Sequence, residues 1–191
     1  MTIGSFTHIL DISLTFISEN VMGRKKKFKQ ISERIKDLIT CVLEMEHIKD
    51  LKKAGVFIQV FDKKTGNLLI GKTFGLLTSD MCDEYSGVSQ KKAVWLYLNP
   101  RATSSLESNG DVSPGAISGR RHVVSVSAGL ESGDESALAV LVLSELERKR
   151  KDFYRRNIYI AKAECKNELF DILDFLETVF DWNLFPNFDI D

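Results

Sequence analysis

One stretch constrains the fold of this chain more than any other: His122 to Leu143, which reads as a strand, a Gly-bearing turn and a helix opened by acids. Val124 and Val126 alternate with Ser125 and Ser127, the period of a half-buried strand. Ser132 and Glu135 have capping-box spacing, in which each side chain satisfies a free N–H at the helix start. Asp134 and Glu135 fall in the first turn, where the positive end of the helix macrodipole favours carboxylates. The Ala137 to Leu143 run is apolar nearly all round, as for a helix buried against a sheet. The junction of strand and helix is a natural place for a pocket, although acids in a first turn also serve simply to start a helix.

The remaining elements follow from the same periodicities. Ile31, Ile35, Leu38, Ile39, Val42 and Met45 recur at helical spacing and predict an amphipathic helix from Phe28 to Ile48. Val56 to Phe61, the turn Asp62 to Asn67, and Leu68 to Phe74 predict a β-hairpin. A second helix is expected over Ser86 to Leu98, stopped by Asn99-Pro100. The Ser, Gly, Asn and Asp of residues 101–119 predict a long loop with a short strand at Ala116-Ile117. Helix, hairpin, helix, strand and helix together argue an α/β (α+β) sandwich with a mainly antiparallel sheet flanked by helices. Residues 1–27 read as a helical N-terminal extension, 28–150 as the domain, and 151–191 as a C-terminal amphipathic helix with an acidic, aromatic tail.

Charge narrows the classes of partner. The chain of 191 residues carries 26 basic and 27 acidic groups, a balance that argues against a dedicated nucleic-acid binder. The charges are segregated, with five basic residues in the six from Arg24 to Lys29 and seven acids but no base in Asn167 to Asp191. Such segregation points to attraction between tail and body, or to a charged partner. Three cysteines, Cys41, Cys82 and Cys165, are too widely spaced for a metal motif, and their odd number gives no complete disulfide framework, which suggests a reducing, cytoplasmic setting. No segment has the length of a membrane span, and the apolar run Ile9 to Ile17 lacks the flanks of a cleaved signal; signal-less export to another cell stays open.

The helix expected from Cys165 to Phe180 carries Leu169, Ile172, Leu173, Leu176 and Phe180 on one face, followed by Trp182 and Phe185. Two readings compete. Either the face is buried on the chain's own domain, or Leu169, Leu173, Leu176, Phe180, Trp182 and Phe185 form a partner-binding or dimer-forming element, since aromatic residues are enriched at interfaces.

The order of Phe57-Ile58-Gln59-Val60-Phe61-Asp62 and Gly66-Asn67-Leu68-Leu69, then Lys91-Lys92-Ala93, then Val124 to Gly129 followed by Asp134-Glu135, resembles the GlcG-like, or haem-degrading domain, family over about residues 28–150. The resemblance implies a profilin-like or PAS-like sandwich, often oligomeric, in a family with haem-binding members and others tied to protein interaction. Haem needs an apolar cleft, an axial ligand and basic groups for its propionates. His122, beside Arg120 and Arg121, is the axial candidate, and Lys92, Ser127, Asp134 and Glu135 complete a candidate ligand site between the second helix and the strand. Catalysis has less support. Ser125 and Ser127 lack the Gly-x-Ser-x-Gly elbow, and Walker, dinucleotide and zinc motifs are missing from the sequence. The reading that results is a non-enzymatic binding or adapter protein acting through protein contacts and self-association, with a haem or tetrapyrrole binder as the alternative.

Overall fold

The computed structural model describes residues 22–45, 48, 55–130, 132–147 and 166–180; the expectations for 1–21, for Trp182 and for Phe185 lie outside the described residues. Within them the elements are α1 (Met22–Val42), β1 (Gly55–Asp62), β2 (Leu68–Gly75), α2 (Ser79–Leu98), a 3-10 turn (Ser105–Ser108), β3 (Ala116–Ser118), β4 (His122–Ser127), α3 (Ser132–Glu147) and α4 (Lys166–Phe180). The four strands form one antiparallel sheet in the order β2-β1-β4-β3. The chain is therefore an α+β sandwich.

The period of two in β1 and β4 decides which helices lie on which side. Val56, Ile58 and Val60 of β1 and Val124 and Val126 of β4 join the larger core with Leu38 and Ile39 of α1, Leu138 and Leu141 of α3, and Ile172 and Leu176 of α4. The opposite side of the sheet carries Val123, which packs with Ala93 and Leu96 of α2. β4 is thus covered on both faces, not half-buried as its Val/Ser alternation suggests. Ser125 is fully buried because Ser89 of α2 meets it with two reciprocal bonds: Ser125 Oγ donates to the Ser89 carbonyl at 2.8 Å, and Ser89 Oγ to the Ser125 carbonyl at 3.3 Å. A small polar face can be buried when its hydroxyls find backbone carbonyls.

Two helices differ from their expected bounds. α2 begins seven residues before Ser86, where Thr78 Oγ1 accepts the Met81 N–H at 3.3 Å and caps the first turn. α1 ends at Val42, yet Met45 and Ile48 remain buried: the chain tightens into i to i+3 bonds, Glu44 N–H to Cys41 and Met45 N–H to Val42, which hold it on the same face.

The hairpin turn is fixed by Asp62, whose Oδ1 accepts the Lys64 N–H (2.9 Å), the Thr65 N–H (2.8 Å) and the Thr65 hydroxyl (3.0 Å). Burial raises its pKa, but these bonds and the nearby His122 outweigh it and hold the carboxyl below its ordinary 3.8. A lowered folded pKa stabilises above the unfolded value and is lost as pH falls through the folded one. Asp62→Ala is accordingly expected to cost about 1 kcal/mol at neutral pH and progressively less below 3.8. Denaturant titrations of both proteins at neutral and acid pH check this; a pH-independent difference would refute the assignment.

Candidate functional site

β4 carries the chain to the turn at Ala128-Gly129, where Gly129 takes a φ of 60° and lets α3 run back along the sheet. At this junction a buried ion pair forms. Lys92 of α2, 1% exposed, donates from Nζ to Glu135 Oε2 at 2.7 Å and to the Val126 carbonyl at 2.8 Å. Glu135 Oε1 accepts the Ala128 N–H at 2.8 Å. The two oxygens of Glu135 thus reach the turn and a cation from the other helical layer; the Ser132 side chain of the expected capping box lies outside the described residues.

The ion pair joins the two helical layers, and Gly115 leaves the room that Glu135 needs to take part in it. This glycine ends the loop before β3, at a φ of 104°, and its carbonyl accepts the Val126 N–H at 2.8 Å. A Cβ there would lie 2.9 Å from Glu135 Cβ, from Glu135 Oε2 and from the Val126 carbonyl oxygen. The packing of Glu135 against this turn therefore requires a residue without a side chain. Burial pushes the Lys92 ammonium below its ordinary pKa, and Glu135 offsets this only in part. Tyr85, two turns earlier on the same face of α2, is pushed up by burial and then by the charges of Glu84 and Glu135.

The structure brings Lys92 together with Glu135 but sets His122 elsewhere. His122 opens β4, five residues before Ser127, about 17 Å away at strand rise. Its Nδ1 lies 3.0 Å from Glu147 Oε1, at the opposite end of α3 from Glu135. The same carboxylate accepts the backbone N–H groups of Arg120, Arg121 and His122 at 3.3, 2.9 and 3.1 Å. The strand start is thus an anion-holding nest that the chain fills with its own Glu147. The cleft expected between Lys92, His122, Ser127 and Asp134 is not one cleft, because strand and helix run antiparallel and place these groups at their two ends.

Asp134 is buried beside Glu135 in the first turn of α3. Ser127, 2% exposed, and Gln59, 5% exposed, keep Ser127 Oγ and Gln59 Oε1 without a hydrogen-bond partner among the described residues. Of the expected partner-binding residues, Leu176 is fully buried in the chain's own core and Leu173 packs against it, which corrects their reading as a free surface. The side chains of Leu169 and Phe180 lie outside the described residues.

Glu147, Gly115 and Ser89 were not singled out by the sequence as site residues. Ser89 had a signal, since Tyr85, Ser89 and Lys92 share one helical face at i, i+4 and i+7. Gly115 and Glu147 had none, because each acts on residues remote in sequence.

Among the described residues no group of three or more His, Cys, Asp or Glu is placed to hold a metal ion, and no helix is long and apolar enough to cross a membrane. Compared with known protein families, curated proteins and solved structures, the chain finds no match, so its residues and their geometry carry the functional reading.

Proposed function

We propose that this chain is a non-enzymatic binding or adapter domain of GlcG-like type, acting through protein contacts and self-association. The supporting observation is the use made of the polar residues along β4 and the helices beside it. Lys92 is committed to Glu135 and Val126, Ser125 to Ser89, and His122 to Glu147. A ligand reaching any of them would first have to break an internal bond, two of which are deeply buried. A profilin-like or PAS-like sandwich is in keeping with the four-stranded antiparallel sheet and its helices.

A second reading, a small-molecule binder holding haem or a related tetrapyrrole between α2 and β4, draws on Ser127 Oγ and Gln59 Oε1, two buried polar atoms that a ligand could satisfy. Titrating the purified protein with hemin, with His122→Ala beside it, separates the two. The expected result is no saturable Soret shift in either protein. A saturable shift in the wild type would transfer the assignment to tetrapyrrole binding; its loss in His122→Ala would put the ligand at the start of β4, and its persistence would put it beside Ser127 and Gln59.

A further inference from the structure

We infer that the outer face of α2 is the surface on which two copies of this chain pair, antiparallel, about a two-fold axis at Gly87. The inference rests on the self-association proposed above and gives it a location.

Gly87 is exposed near the middle of a 20-residue helix, and a Cβ at this position would meet nothing within 4 Å. Glycine there costs about 1 kcal/mol relative to alanine. No contact within the described chain calls for it; the close approach of a second helix does, because backbones can touch only where side chains are missing.

The charges of Asp83 and Lys91 on the same face are complementary about that point. An antiparallel two-fold at Gly87 sets each residue opposite the one equally far on the other side. Asp83 then faces Lys91 of the second copy, and Lys91 faces its Asp83, giving two exposed charge pairs of opposite sign. Leu98, eleven residues after Gly87 and so on the same helical face, is 71% exposed, and Leu76, in the loop before the helix, is 79% exposed. Val94, 46% exposed, extends the apolar end. It faces Asp80 of the second copy, which lies in the first turn of its own helix, where the macrodipole favours a carboxylate. The parallel arrangement would set Asp83 against Asp83 and Lys91 against Lys91, so charge selects the antiparallel one.

Sedimentation of the full chain and of four variants tests this. The wild type is expected to sediment as a dimer. Lys91→Asp should weaken dimerisation about tenfold or more, and Asp83→Lys with Lys91→Asp in one chain should restore it, because the pairs reform with their signs exchanged. Leu98→Asp should also dissociate the dimer. Gly87→Ala separates the interface from helix stability: it should raise the melting temperature of the monomer while weakening the dimer. All these positions are exposed, so unchanged far-UV circular dichroism is expected throughout. A wild type that sediments at the mass of one chain overturns the inference. A dimer indifferent to both charge reversals also overturns it, while leaving the adapter reading to another surface.

Discussion

Replacing Lys92 by Met is expected to destabilise the fold by about 3–5 kcal/mol, the effect of removing one partner from a buried ion pair. Met fills much the same volume, so the loss is electrostatic. Glu135 would keep a buried charge with the Ala128 N–H as its remaining described donor, and the Val126 carbonyl would lose the Lys92 ammonium. Replacing both partners, with Lys92→Met and Glu135→Leu, should recover much of that loss, because a well-packed apolar pair is often no less stable than a buried salt bridge. The pH dependence gives a second signature. Burial lowers the folded pKa of Lys92 below 10.5, so over that interval the unfolded chain binds the extra proton, and stability rises with pH through the alkaline range up to 10.5. Lys92→Met should lack that rise. Denaturant midpoints of the wild type, single and double variants decide the matter; a single variant within about 1 kcal/mol of wild type would show that the pair does not tie α2 to α3 across the sheet.

Most of the architecture was legible because it rests on local periodicity. The hairpin, both central strands, the buried Ala137 to Leu143 helix and the amphipathic face of α1 each carry their own pattern, and the antiparallel sheet follows from their order. What escaped were the contacts between layers. Ser125 and Ser127 look solvent-facing in a strand pattern, and only the arrival of Ser89 from α2 makes burial of the first affordable. Lys92 and Glu135 stood out as separate candidates, 43 residues apart, and nothing local announced that each is the other's partner. His122 was misplaced for a geometric reason. Strand and helix are each more than 15 Å long, so residues adjacent in a motif end up at opposite ends of the sandwich.

The C-terminal helix offers the other large expected effect. Leu176→Ala is expected to cost about 2–5 kcal/mol, the usual penalty for a cavity at a fully buried leucine. Leu176 and Ile172 are both fully buried, with Leu173 and Phe175 packed beside them, so α4 completes the core formed by α1 and α3. The start of α4 is equally committed: the Glu168 side chain lies so close to Gly133, in the first turn of α3, that a side chain on that glycine would collide with it. Each large apolar side chain buried this way contributes about 1.5–3 kcal/mol, and a domain of ordinary stability has about 5–15 in all. Deleting residues 166–191 should therefore abolish the cooperative melt, and Leu176→Ala should lower its midpoint without removing it. If the truncated chain instead melts like the full one, α4 is a detachable arm and its apolar face returns to the surfaces open to a partner. If cooperativity is lost, the partner must be sought on faces the core leaves free, and the outer side of α2 is the first of these.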